Sequence, residues 1–119
     1  MVISWKYIKY FELTKNFKKE VKNFVQNNSS LEDKIYDCIL DFEKNLFSSK
    51  YYRKPIKNWE FKKFDIHELQ VGWDYRIIIQ IKISLNKDWS YTCYFINFWN
   101  HSALNLSSNK KLKINPIRN

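Results

Sequence analysis

Glycine and cysteine are scarce in this 119-residue sequence. Gly72 is the single glycine, which excludes a glycine-rich phosphate-binding loop. Cys38 and Cys93 are the two cysteines; they lie far apart in the chain and form no CxxC pair. The sequence therefore predicts neither a zinc site nor a redox pair, and it implies no metal or other cofactor. We expect both cysteines to be buried thiols in a reducing compartment.

Long apolar runs are missing as well. No stretch approaches the roughly 20 apolar residues that span a membrane. The N-terminal residues alternate charged and aromatic side chains and have no apolar run of signal-peptide length. We therefore expect a soluble, cytoplasmic protein that has no membrane partner.

Positive charge and aromatic residues are abundant. Lys and Arg number 21 against 12 Asp and Glu, a formal net charge of +9, and 18% of the residues are aromatic. The aromatic and apolar content excludes a disordered chain, and the charge suits a polyanionic partner, either nucleic acid or an acidic protein. The length predicts a single domain over residues 1–105, followed by a basic, flexible tail over 106–119.

Hydrophobic periodicity predicts a strand and then two helices in the first half of the chain. Residues 3–13 have strand-forming composition, and Thr14 is placed to cap a helix over 15–27. A second, acidic helix begins near Leu31, where Ser29 and Glu32 have the spacing of a capping box. A short turn joins the two helices, which predicts a helical hairpin.

The second half of the chain alternates with strand periodicity. Residues 48–58 are basic and irregular and contain a proline; strands then follow at about 60–70, 73–84 and 90–99. Short connections between these strands predict an antiparallel meander. The predicted fold is α+β with the order β-α-α-β-β-β, a small antiparallel twisted sheet with the two-helix hairpin packed on one face.

The strand over 73–84 predicts which side chains face the helices. Period-2 alternation places its odd positions, beginning with Trp73, against the helices. An odd-length loop around Gly72 then puts Glu68 directly opposite Arg76. Such a pair on an exposed sheet face is ordinarily a weak surface ion pair, although the same arrangement can form a catalytic site. The polar residues predicted on the open face are Arg76, Gln80 and Lys82, and Lys82 is a candidate RNA-binding residue.

The segment over residues 50–63 interleaves cations with aromatic residues. Basic side chains can follow a nucleic-acid backbone while aromatic rings stack on bases. The ordinary alternative is a solvated basic loop anchored by buried rings. The predicted RNA-binding cations of this segment are Arg53, Lys54, Lys57, Lys62 and Lys63.

Three short motifs follow one another in order. They are LTKNFKKEVK over 13–22, HELQVGWDYRIIIQI over 67–81 and NHSAL over 100–104. Together they resemble the first helix, the central hairpin and the end of the last strand in the RelE/ParE superfamily of bacterial toxin–antitoxin toxins. The order of elements agrees along residues 3–105, so the resemblance implies a RelE-like fold.

The resemblance also implies an activity. Ribonuclease members of the superfamily cleave mRNA, usually on the ribosome and without a metal, by attack of the ribose 2′-hydroxyl on the adjacent phosphate. By this resemblance Arg76 would stabilise the phosphate transition state and His101 would be the general acid or base. His67 and Glu68 are secondary candidates for the base. The implied partners are mRNA and an acidic antitoxin protein.

Two positions depart from the family pattern and two alternatives stay open. Several members have an arginine near the position of Gln70, where this chain has an amide, which implies less positive charge at the phosphate. Many members have a base-stacking aromatic residue where this chain has Asn105, so stacking would come from another residue, for which Trp99 is the candidate. One alternative is a ParE-like toxin that inhibits DNA gyrase, which the presence of His101 disfavours. The other is an RNA-binding protein without catalytic activity, since a fold does not dictate a function.

Overall fold

The computed structural model describes residues 8–26, 28–57, 63–83, 90–100, 114 and 116–118. These residues form two helices and a five-stranded sheet, so the α+β class predicted from the sequence is confirmed. In chain order the elements are β1 (Ile8–Leu13), α1 (Lys15–Val25), α2 (Ser29–Asn45), a short 3-10 helix (Leu46–Ser48), β2 (Tyr52–Pro55), β3 (Asp65–Val71), β4 (Tyr75–Ile83) and β5 (Tyr91–Asn100).

The sheet has the strand order β1-β5-β4-β3-β2 and is mixed. The predicted antiparallel meander is present as β3, β4 and β5. The prediction of an antiparallel sheet throughout is wrong, because β1 pairs with β5 in parallel. A parallel pair requires a long crossover between its strands, and here the helices lie within that crossover. Part of the segment predicted to be irregular is the edge strand β2, which ends at Pro55, where a proline costs no central hydrogen bond.

Both helices begin at side-chain caps. The Thr14 hydroxyl accepts a hydrogen bond from Phe17 N–H at 3.1 Å, as the sequence predicts. For α2 the cap is Asn28, one residue before the predicted Ser29, and its side chain accepts from Leu31 N–H at 3.2 Å. No helix among the described residues is long and apolar enough to cross a membrane.

The main core lies between the helices and one face of the sheet. One apolar face of α2 is buried there, including Cys38 and Phe42. The odd positions of β4 from Tyr75 to Ile81 face this core, as predicted. Phenylalanine rings from α1, α2 and β5 meet edge to face, and Phe42 alone contacts three other rings.

The other face of the sheet, here called the second face, is covered over part of its area. Ile114 packs on Ile66, Ile78 and Ile96 to form a smaller core. The Gln80 side chain accepts from Ile117 N–H at 2.6 Å and donates to Ile117 C=O at 3.0 Å. Gln80 therefore lies on the predicted face, but it is buried, and the described residues of the segment over 106–119 pack on the sheet.

Both cysteines are free thiols in the main core, which leads to a prediction about their reactivity. Burial, with a smaller contribution from Asp41, raises the pKa of Cys38 to about 12, and burial also raises the pKa of Cys93. Because the thiolate is the reactive form, we expect no reaction with a thiol reagent in the native protein and reaction of both cysteines in denaturant. A chromogenic disulfide reagent measures this, and rapid native-state labelling would show that the core opens readily.

Candidate functional site

A carboxylate shared by two arginines stands on the second face, at the end of the sheet nearest the β3–β4 turn. Glu68 Oε2 lies 3.1 Å from Arg53 Nε and 3.3 Å from Arg76 Nε. Arg53 Nη1 also donates to Gln70 Oε1 at 3.1 Å. We call these four residues the Glu68 cluster. It has two guanidinium groups for one carboxylate, and so its net charge is positive.

The hairpin register explains why Glu68 and Arg76 meet diagonally. Glu68 and Arg76 share a face, as the sequence predicts, but Arg76 is directly opposite Gln70 and Glu68 is opposite Ile78. The prediction that Glu68 is directly opposite Arg76 is therefore wrong. The hairpin is centred one residue later than Gly72, and diagonal neighbours on one face still lie within reach of long side chains.

A bulge in the edge strand positions the exposed arginine. The β2–β3 register shifts between Tyr52 and Lys54, so Arg53 is the extra residue. A bulge re-aims the side chain of its extra residue, and here that side chain reaches Glu68 and Gln70. The Arg53 side chain is 39% exposed, whereas that of Glu68 is 13% exposed. Arg53 is therefore the member of the Glu68 cluster most accessible to a ligand.

Arg76 lies behind Glu68 and is almost completely buried. Its side chain is 4% exposed, and its Nη1 donates to the carbonyls of Trp73 at 3.4 Å and Tyr75 at 3.0 Å. Burial and the nearby charge of Arg53 lower the pKa of the Arg76 guanidinium, and Glu68 opposes this shift. An arginine nonetheless stays charged at neutral pH. Arg76 therefore holds Glu68 in place and supplies a fixed positive charge.

An open pocket of about 470 Å³ adjoins the Glu68 cluster. The residues that line it include Lys50, Arg53 and Gln70, two tyrosines and Gly72. Next to Gly72 the indole of Trp73 is 81% exposed at the tip of the turn. The prediction that Trp73 packs against the helices is wrong, because the turn is centred on this residue. A glycine followed by an aromatic residue in a short hairpin loop was the sequence signal for an exposed ring.

His67 lies on the helix-facing side of the sheet, away from Arg76. Its Nε2 is 2.6 Å from Asp65 Oδ1, its Nδ1 is 2.9 Å from the Tyr52 hydroxyl, and Phe47 packs against the ring. Burial, and then the charge of Asp65, raise the pKa of Tyr52. Since both ring nitrogens have partners, this geometry suits a packing role, and the structure does not bring His67 together with Glu68.

The remaining predicted site residues fall into three groups. Lys54 is an exposed residue of β2 opposite Glu68, and Lys82 lies near the far end of β4, distant from the turn. Trp99 is opposite Arg76 in β5, where its ring packs on the second-face core and its Nε1 donates to Glu20 at 2.8 Å. Lys57 and Lys63 are exposed, and His101 and Lys62 are outside the described residues.

Within the part of the chain that the structure describes, no group of three or more His, Cys, Asp and Glu side chains is arranged to hold a metal ion. The Glu68 cluster is instead suited to an anionic ligand, because two guanidinium groups and an adjacent cationic pocket surround one carboxylate. Comparison of the chain with protein-family models, with curated proteins and with solved structures finds no match. The functional argument therefore rests on this chain's own residues.

Proposed function

We propose that this protein is a metal-independent endoribonuclease of RelE-like fold, the toxin of a toxin–antitoxin pair, which cleaves mRNA on the ribosome and so inhibits translation. The observation that supports this proposal is the Glu68 cluster, in which a largely buried carboxylate lies between an exposed and a buried arginine. The α+β architecture, a mixed five-stranded sheet with a helical hairpin on one face, is compatible with such a fold.

The proposed reaction uses the carboxylate and the two cations of the cluster. Glu68 accepts the proton of a ribose 2′-hydroxyl, and the resulting oxygen attacks the adjacent phosphorus. The bond to the 5′-oxygen of the next nucleotide breaks, which leaves a 2′,3′-cyclic phosphate and, after protonation, a free 5′-hydroxyl. Arg53 binds the phosphate oxygens as their negative charge increases, while Arg76 adds charge from behind and keeps Glu68 in place.

His101 is proposed as the acid that protonates the leaving 5′-oxygen. In the sequence it follows Asn100, the last residue of β5, which is paired with Tyr75 beside Arg76. The proposed inhibitor is an acidic antitoxin that covers the exposed cations next to the cluster. Lys50, Arg53 and Lys54 offer an acidic protein three such charges.

Substitution Glu68→Gln separates catalysis from binding. The amide keeps the shape of the side chain but cannot accept a proton as a base, so we expect cleavage to fall by about 10²–10⁴-fold. RNA affinity should stay equal or increase, because one negative charge is lost. Single-turnover cleavage and equilibrium binding of the same RNA measure the two quantities. An unchanged cleavage rate in Glu68→Gln would remove Glu68 from the reaction.

Expression in a bacterial host tests the proposal as a whole. We expect growth arrest and fragmentation of mRNA shortly after induction, with DNA supercoiling unchanged. Arrest with intact mRNA and a loss of negative supercoiling would instead favour the gyrase-directed alternative. Normal growth of cells that accumulate the folded protein would contradict a toxin of either kind.

A second candidate is an RNA-binding protein without catalytic activity. The observation that favours it is that Arg76 is buried and already paired with Glu68, while His67 lies on the opposite face of the sheet. Such a protein would bind RNA with a steep salt dependence and leave it intact. Incubation of the purified protein with labelled mRNA on translating ribosomes, followed by analysis of the length of the mRNA, separates the two candidates.

A further inference from the structure

The tip of the β3–β4 turn has an exposed aromatic residue, Trp73, next in sequence to a residue that lines the pocket. Gly72 has a positive φ of 62°, and the turn that it opens closes with the pair Val71 and Tyr75. Trp73 therefore lies outside the ladder of the sheet, and its ring is 81% exposed. An exposed indole offers a large flat apolar surface on which a nucleic-acid base can stack.

The turn is held in place relative to the cationic groups. The Trp73 carbonyl accepts from Arg76 Nη1 at 3.4 Å, which connects the turn to the Glu68 cluster. The adjoining pocket is lined by Lys50 and Arg53, and its described lining has no carboxylate. Two carboxylates lie in or near the turn. Glu68 pairs with both Arg53 and Arg76, and the charge of Asp74 acts on Arg76. Trp73 directly follows Gly72, which lines the pocket, so an exposed aromatic residue adjoins a pocket that contains two cations.

We propose that this turn and pocket form a subsite for one unpaired nucleotide, with its base stacked on Trp73 and its phosphate bound by Arg53 and Lys50. Proteins that bind single-stranded nucleic acid commonly combine an aromatic ring with nearby cations, because the base can stack on the ring while the cations neutralise the phosphate. This inference rests on the proposed function in its choice of RNA as the ligand. It assigns stacking to Trp73 in place of Trp99, whose ring is packed on the second-face core.

Substitution of Trp73 tests the subsite by RNA affinity, measured by fluorescence anisotropy of a short labelled single-stranded RNA. We expect Trp73→Ala to bind about 5- to 150-fold more weakly than wild type, the range found for loss of one stacking contact. Trp73→Phe should retain most of the affinity. The matched control is Tyr36→Ala, since Tyr36 is also highly exposed, at 64%, but lies on the acidic helix α2.

Two further measurements, the salt dependence of binding and the affinity for an abasic RNA, distinguish base stacking on Trp73 from phosphate binding by Arg53. In a plot of the logarithm of the binding constant against the logarithm of the salt concentration, Trp73→Ala should have the same slope as wild type. Arg53→Ala should have a slope that is smaller in magnitude by about 1. An RNA with one abasic position placed at the subsite should bind wild type and Trp73→Ala equally. Affinity of Trp73→Ala within twofold of wild type, or no binding of RNA by the wild type, would overturn the subsite. The first result would assign the exposed ring to a protein contact.

The same set of proteins separates this inference from the proposed reaction. Weak binding by Trp73→Ala, together with mRNA that the wild type leaves intact on translating ribosomes, would support the subsite and contradict the ribonuclease. Cleavage by the wild type, together with unchanged RNA affinity in Trp73→Ala, would support the ribonuclease and contradict the subsite.

Discussion

Substitution Arg76→Ala is expected to lower the rate of RNA cleavage by about 10²–10³-fold, the usual effect of removing one preorganised donor from a charged transition state. Arg76 is the buried partner of Glu68, with 3.3 Å between Nε and Oε2. Without it Glu68 loses its position and the site loses a fixed positive charge. Single-turnover cleavage of a labelled RNA at saturating protein measures the effect on the chemical step.

Two controls distinguish this loss from general damage. Arg76→Lys keeps the charge but not the planar fork, so we expect partial activity. Arg118→Ala removes an exposed arginine whose guanidinium lies over the Phe64 ring at 5.4 Å, and cleavage should be unchanged. Because Arg76 is buried, a thermal unfolding curve of each variant must show a folded protein. Wild-type cleavage by folded Arg76→Ala would contradict the proposed role.

Substitution Glu20→Ala is expected to lower the free energy of unfolding by about 2–4 kcal/mol, since it leaves buried donors without acceptors. Strand β1 pairs with β5 only as far as Phe95. Beyond Phe95, side chains of α1 form hydrogen bonds with the edge of β5 that β1 leaves unpaired. Glu20 Oε1 accepts from Phe98 N–H at 3.1 Å and from Asn97 Nδ2 at 3.0 Å, and Oε2 accepts from Trp99 Nε1. Denaturant unfolding followed by circular dichroism measures the loss.

The conservative substitution and an exposed glutamate are the controls for Glu20. Glu20→Gln retains one acceptor oxygen but presents an NH₂ group to some of the donors, so we expect an intermediate loss. Glu43→Ala removes an exposed glutamate of α2 and should change stability by less than about 0.5 kcal/mol. If Glu20→Ala unfolded at the same denaturant concentration as Glu43→Ala, the hydrogen bonds that the Glu20 carboxylate accepts from β5 would not stabilise the fold.

The elements of the fold with local causes were predictable from the sequence. The stripe of α2 and the cap at Thr14 are helical signals within a few residues, and the alternation in β4 placed Ile77 and Ile79 correctly. The parallel pairing of β1 with β5 was not predictable, because it joins residues about 80 positions apart and no local pattern encodes it. The cover over Gln80 likewise depends on distant residues near the C-terminus.

Prediction of the candidate site was limited by the centre of one turn. The odd–even alternation of side chains along the strands placed Glu68 and Arg76 on the same face, and the structure brings them together. A hairpin centred on Gly72 would have buried Trp73, whereas the actual turn exposes it. The bulge at Arg53 has no distinct signal in a sequence, since it arises from pairing between strands. The most accessible arginine of the cluster could therefore be found only in the structure.

The most direct test of the proposed reaction is the chemistry of the cleaved ends. A synthetic mRNA is translated in a reconstituted system with the purified protein, and the ends of the fragments are mapped for wild type and Arg76→Ala. We predict 2′,3′-cyclic phosphate and 5′-hydroxyl ends with the wild type, and no cleavage when the nucleotide before the cut has a 2′-O-methyl group. Fragments with 5′-phosphate ends, or an mRNA that stays intact with the wild type, would contradict attack by the 2′-hydroxyl at this site.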